Sequence, residues 1–218
     1  MTKLLTEPGA YDLFCRADWF YYLVNPGKSK SREYGYFKND LTHNIAITEQ
    51  EFNAAKYGAD ILPFESGEEV VLLLDGGSVR CFYQGSVVRI FDRQGALVRT
   101  LSDVNVNCAI YSIALDADGC LWTADPCFHF VGQYDLATGQ LLWALGGDWD
   151  PTELDHPEDV VVYGEHLFIS DMGNQRLVLL NTRTKSFGPY RTFEQTVWQY
   201  RRFQGHELVR LNDGIYLL

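Results

Sequence analysis

Long apolar runs are missing from this sequence. No stretch approaches the roughly 18 consecutive apolar residues that a membrane-spanning helix needs, so no bilayer span is expected. Basic residues are also scarce. Only 18 Lys and Arg stand against 29 Asp and Glu, giving a formal charge of −11 at pH 7. Phosphate backbones and anionic membrane surfaces repel such a chain. Neither nucleic acid nor membrane is therefore expected as a partner; a basic protein is. Cysteines are few and odd in number: Cys15, Cys81, Cys108, Cys120 and Cys127, with no Cys-x-x-Cys spacing. That excludes a disulfide framework and a cysteine zinc cluster, and favours reduced thiols. The start of the sequence has no long apolar core and no small-residue cleavage site, so a secretory leader is not expected and the cytoplasm is. His-Glu-x-x-His, Gly-x-Ser-x-Gly and a phosphate loop are all absent. Asp75-Gly76-Gly77 reads as a hairpin turn.

What the chain does contain is a repeat. Residues 156–181, "HPEDVVVYGEHLFISDMGNQRLVLLN", pack three short β-like runs separated by turn residues. The third run closes on a polar residue, Asn181. Equivalent anchors stand at Asp135 ("VGQYD") and Asp92 ("VVRIFD"), 46 and 43 residues apart in turn. Each is preceded by two β-like runs and followed by a turn and one more. Residues 68–192 thus read as three units of four antiparallel strands, about 45 residues each, which is the period of propeller blades. A lone blade cannot cover both of its faces, whereas stacked blades can.

The two ends complete the pattern. "WFYYLVNPGKSKSREYGYF" reads as strand three, an anchor at Asn25, a turn and strand four. "LVRLNDGIYLL" reads as the first hairpin of a unit cut after strand two. Together they predict a shared fourth blade. The expected fold is all-β: a four-bladed β-propeller spanning 1–218 as a single domain, its last blade closed by N- and C-terminal strands. Residues 40–60 interrupt the β pattern as an insertion. There Thr48 and Glu51 form a capping box and Gly58 follows helix formers, predicting a short helix near 49–57. A further short helix is read in 1–17. Residues 194–207 fit loop or strand, with "VWQYRRFQ" covering the outer edge of a blade.

The segment "LGGDWDPTELDHPEDVVVYGEHLFISDMGNQRLVLLN" resembles an NHL repeat. The Gly-Gly linker, His156-Pro157, the valine run, "LFISD" and "GNQRLVLLN" follow the family's order over 146–182. "CAIYSIALDADGCLWTADPCFHFVGQYD" is similar but degenerate, with Cys127-Phe128-His129 where the family has a Gly-Asn-x-Arg-like stretch. The resemblance implies a β-propeller. It implies no single activity, because members of this family and its relatives bind proteins or RNA or act as lyases and lactonases.

The candidate site residues follow from this frame. Asp171, Asn174 and Arg176 lie at the turn between strands two and three, where Asp and Asn bond backbone groups and Arg pairs with an acid. They read first as turn-makers. Asp125 keeps the position of Asp171 one unit earlier, and His129 is the histidine beside it. His156 precedes a proline and reads as structural. In propellers these turns share a face with the loops between blades. The loop "GGDWDPTELDHPED" brings Asp148, Trp149, Asp150, Glu153 and Asp155 there, an acidic surface around one aromatic anchor. Its Asp spacing lacks the glycine and terminal glutamate of a calcium loop. The function read from this is a non-catalytic, protein-binding propeller without cofactor, with a binding surface of Asp148, Trp149, Asp150, Glu153, Asp155, His129 and Asn174. An immunity or antitoxin-type protein masking a basic toxin is its concrete form. The alternative is a lactonase- or lyase-like enzyme holding Ca2+ or another divalent metal, with Asp125 and Asp171 as ligands. A third reading, sugar binding, would use Trp149 or Trp122.

Overall fold

The computed structural model describes residues 1–5, 10–24, 34–58, 68–82, 85–102, 104, 109–147 and 153–218. They form five four-stranded antiparallel sheets and one helix. In chain order the strands begin with β1 (Thr2–Leu5), which belongs to the last sheet. The first complete sheet is β2 (Ala10–Arg16), β3 (Trp19–Val24), β4 (Gly35–Asn39) and β5 (Asn44–Ile47), followed by helix α1 (Glu49–Tyr57). Next come β6 (Glu68–Leu72), β7 (Ser78–Phe82), β8 (Val88–Phe91) and β9 (Leu97–Leu101). The third sheet is β10 (Ser112–Leu115), β11 (Leu121–Asp125), β12 (Phe130–Tyr134) and β13 (Leu141–Gly146). The fourth is β14 (Pro157–Tyr163), β15 (His166–Asp171), β16 (Arg176–Asn181) and β17 (Phe187–Thr192). The fifth is β18 (Val197–Phe203), β19 (His206–Leu211) and β20 (Gly214–Leu217), with β1 paired to β20. Each sheet is an up-and-down meander in strand order, the form of a propeller blade.

The blade count corrects the expectation of four. Residues 68–192 hold three blades with the expected strands, but the two ends contribute two further blades and not one. The N-terminal region was shifted by one strand: Trp19–Val24 is the second strand of its blade and Gly35–Asn39 the third. The expected anchor Asn25 lies outside the described residues. The anchor proper is Asp40, whose Oδ1 accepts from the amides of Thr42 and His43. Asp92 accepts from Gln94 and Ala96, Asp135 from Thr138, and Asn181 from Arg183 and Thr184, so four blades turn on the same device. Residues 40–60 are no simple insertion, since they include the fourth strand β5. That strand is only four residues long, Asn44-Ile45-Ala46-Ile47, is largely exposed and runs straight into the helix cap Thr48, so it offers too little alternation to read.

The described residues of 1–17 hold strands β1 and β2, and none of them is helical. Alternation in β2 is broken by a bulge between Tyr11 and Phe14, with Asp12 at φ 54°. "VWQYRRFQ" is the first strand of the last blade. It pairs with β19 and buries Val197, Tyr200 and Phe203, so it does not cover an outer edge.

Helix α1 begins where the capping box places it: Thr48 Oγ1 accepts from Glu51 N at 3.2 Å, and Glu51 Oε2 accepts from Thr48 N at 2.8 Å. It buries Phe52 against Phe14 and Tyr36, each with ring centroids 5.2 Å away. Arg16 donates to the carbonyls of Ala55 and Lys56, placing positive charge at the helix C-terminus.

The chain divides into two compact units, Met1–Ala59 with Gln195–Leu218, and Asp60–Glu194. Within each, the core lies between adjacent blades. In the first, Leu13, Phe20, Tyr22, Phe203, Leu208 and Ile215 pack together. In the second, one cluster joins the blades that begin at β6 and β10, and another joins those that begin at β10 and β14. Each fully buried aliphatic side chain contributes about 1.5–3 kcal/mol. Among the described residues no helix is long and apolar enough to cross a membrane.

Candidate functional site

The second strands of the third and fourth blades both end in aspartate, Asp125 and Asp171. Both side chains are buried, and each starts a tight turn into the third strand. Asp125 accepts from the amide of Phe128 at 3.1 Å. Asp171 does more. Its Oδ1 accepts from Asp155 N at 2.6 Å, and its Oδ2 from Asn174 Nδ2 at 2.9 Å and Arg176 Nε at 2.6 Å. Arg176 also donates to the carbonyl of Glu153 at 2.6 Å. The Asp-x-x-Asn-x-Arg motif thus makes its own turn and also fastens the segment that enters β14. A cation at Asp171 would meet the guanidinium of Arg176, which is the wrong neighbour for a calcium ligand.

The fastened segment carries the rest of the site. Asp155 O accepts from Gly173 N at 2.8 Å, and His156 O from Met172 N at 3.2 Å. A Cβ at Gly173 would stand 2.2 Å from Asp155 Oδ2, so glycine there makes room for the carboxylate. Glu153 turns back and accepts from Gly146 N at 3.1 Å. Gly146 itself has φ 74°, and a Cβ on it would lie 2.1 Å from the carbonyl of His129. These contacts bring the β11–β12 turn against residues 153–156.

Three side chains converge there. His129 Nδ1 stands 3.1 Å from Asp155 Oδ1, and His156 Nδ1 stands 2.6 Å from the same oxygen. The two imidazoles meet edge to face, with centroids 4.5 Å apart. His129 Nδ1 also accepts from the backbone amide of His156 at 3.1 Å. Both histidines have left-handed backbone, φ 54° and 52°, which L side chains adopt only where the surroundings impose it. His129 is buried, Asp155 half-buried and His156 exposed, so the cluster opens to solvent on one side.

Of the residues singled out in the sequence, the structure therefore joins His129, Glu153, Asp155, Asp171 and Asn174 in one network. Asp125 holds its own turn. Asp148, Trp149 and Asp150 lie outside the described residues. Trp122 is fully buried: its Nε1 donates to Asp116 at 2.8 Å, and Lys185 sits 4.8 Å over its ring, so it offers no face for stacking a sugar. Burial pulls the Lys185 ammonium below its ordinary range, against the attraction of Asp116. His156 was read as structural, and its part in the cluster was missed. The signal was an Asp-His pair at the entrance to a blade, but its partner His129 lies in the preceding blade and no local spacing marks it.

Comparison with known proteins supports the fold. No family model matches the chain, and no characterised protein matches it by sequence. Solved structures do. A streptogramin B lyase is similar with a TM-score of 0.58 at 10% identity, over 100% of this chain and 96% of that one. The WD40 propeller domain of Doa1 is similar at 0.56 and 11% identity, over 94% of this chain. A chain of a nidogen/laminin complex is similar at 0.56 and 14%, over 82% of this chain and 76% of that one. The chain spans 61% of the Doa1 chain and between 54% and 58% of three others similar in fold. The class is thus a β-propeller resembling NHL-type propellers, with five blades.

Proposed function

We propose that this chain is a protein-binding propeller whose partner presents a basic surface. The observation that carries the reading is the set of side chains on three successive fourth strands. Leu97 and Val98 on β9, Leu141 and Leu142 on β13, and Phe187 and Tyr190 on β17 are between 39% and 62% exposed. Exposed apolar side chains gathered on one kind of strand mark contact surfaces. The strands that bear them are blade edges, each with one backbone rim outside the sheet, a form that partners extend. The net charge of −11 selects a basic partner and makes its capture salt-dependent. WD40 propellers and a nidogen/laminin chain among the similar folds fit a scaffold that meets other proteins. An immunity-type protein masking a basic toxin in the cytoplasm is the concrete form of this reading, with Asp148, Asp150, Glu153 and Asp155 as its acidic contribution and Trp149 as its aromatic anchor.

The test is capture of partners from the native cell on immobilised protein, at low and at high salt. A stoichiometric basic protein is expected at low salt and should elute at high salt. A Leu141→Thr, Leu142→Thr double variant, which removes the apolar contact without adding charge, should lose it while keeping its unfolding midpoint. Retention of nothing basic, or equal capture by the double variant, overturns the reading.

A further inference from the structure

We propose that His129, Asp155 and His156 form a binding site for one divalent transition-metal ion of the zinc class. It lies between the blades that begin at β10 and β14. This goes beyond protein binding and does not depend on it.

The first argument is the donor set. Two imidazole nitrogens and one carboxylate oxygen lie within 4.8 Å of one another. Nitrogen-rich sets of this kind suit Zn2+, Co2+ or Fe2+, whereas calcium takes oxygens. Ligands at about 2.0–2.2 Å from a tetrahedral ion stand roughly 3.3 Å apart. The pair His129 Nδ1–Asp155 Oδ1, at 3.1 Å, is already near that spacing. The pair His156 Nδ1–Asp155 Oδ1, at 2.6 Å, opens by a small rotation of an exposed imidazole.

The second argument is an electrostatic conflict. His129 Nδ1 accepts from the amide of His156, so it presents a lone pair. The same atom faces a carboxylate oxygen at 3.1 Å, which also needs a positive partner. One nitrogen cannot satisfy both demands. A cation between the three atoms resolves the conflict: it takes the lone pair of each imidazole and the charge of the carboxylate, and the hydrogen bond from the His156 amide to His129 Nδ1 breaks. On loading, the hydrogen that His156 Nδ1 shares with Asp155 moves to Nε2 of a neutral ring, or leaves as a proton from an imidazolium, and metal–nitrogen and metal–oxygen bonds replace the hydrogen bond.

The third argument is preorganisation. Both histidines are held at positive φ, Gly173 leaves space for Asp155, and Asp171 fixes the Asp155 backbone while itself anchored by Arg176 and Asn174. Metal sites depend on such outer support. Three protein ligands with a solvent-open side leave a fourth position for water, the arrangement of zinc sites that act on ligands rather than closed structural ones.

The experiment uses the full chain, stripped with chelator and titrated with Co2+ as a spectroscopic stand-in for Zn2+. One equivalent should produce a visible d–d band, and one equivalent of Zn2+ should abolish it. Zn2+ should raise the unfolding temperature, and Ca2+ should not. His156→Ala, at an exposed position, should weaken Co2+ binding at least tenfold in a chain that still shows the β signal and a cooperative unfolding transition, and Asp155→Asn should also weaken it. His43→Ala, which removes another histidine beside an aspartate, should leave binding intact. No visible band, equal binding by His156→Ala, or loss on His43→Ala overturns the proposal; in those cases the cluster holds a proton only.

Discussion

One carboxylate, that of Asp171, serves three donors from three places in the chain: an amide before β14, an amide side chain in the turn and a guanidinium on β16. Removing it leaves buried donors unpaired and a half-buried arginine without its acid. Asp171→Ala is therefore expected to cost about 3 kcal/mol or more, read as a lower urea midpoint at unchanged slope. Asp171→Asn, which keeps one acceptor oxygen, should cost less. A second expectation concerns Cys15. Burial pushes its thiol up to about 11, although Arg201 and Arg16 pull the other way. Little thiolate forms at pH 8, so Cys15 should resist alkylation in the folded chain and react once unfolded, as mass spectrometry of labelled peptides will show. Hydrogen bonds act in the opposite direction on carboxylates. Thr42 and His43 lower Asp40, Thr138 lowers Asp135, and Lys3 lowers Asp213. Because these folded values lie below 3.8, their stabilisation is complete above that pH and is lost as the pH falls through the folded values. Denaturation midpoints should hold from pH 7 to 5 and decline below 4. The Asp171 motif was legible because its members lie within six residues. The His129–Asp155–His156 convergence was not, because two blades assemble it.

At the scale of elements, the helix offers the sharpest comparison. Its capping box was readable in Thr48 and Glu51, and the helix runs Glu49–Tyr57 as that box predicts. Thr48→Ala should remove the bond from the Glu51 amide to Oγ1, leave the backbone amide of residue 48 bonded to Glu51, and cost about 1 kcal/mol, with helical signal lost near 222 nm before the β signal. The strands divide by what their turns display. Blades over 68–192 were legible because Asp92, Asp135 and Asn181 end third strands at regular spacing. The first blade has the same device at Asp40, but Asn25, also following an apolar run, drew the register one strand off. Strand β5 was hidden by its shortness and by the helix cap that follows it at once, and β2 by the bulge at Asp12. In the last blade the strand β18 follows aromatics and arginines that alternate without Gly or Asp to mark its limits. Each miss is thus a tertiary choice overriding a local signal: a short, exposed strand accepted at an edge, a bulge accepted inside a sheet.

At the scale of the molecule, the two units differ in how the chain supplies them. Three blades come from one continuous stretch, Asp60–Glu194, while the other unit is built from both ends of the sequence. Its last blade pairs Thr2 with Leu217 and Lys3 with Tyr216, and Lys3 meets Asp213 at 2.6 Å. Contacts that distant in sequence carry the largest loop-closure entropy and form late. During synthesis, β1 leaves the ribosome long before β20 and waits for it. The middle blades can settle while it waits. Pulsed hydrogen exchange during refolding should accordingly protect the amides of β15 and β16 before those of β1 and β20, and simultaneous protection would contradict that order. Strand β1 would then be among the last to find its place, so a ribosome that stalls short of β20 would release a chain with the strands of four complete blades and an unpaired β1.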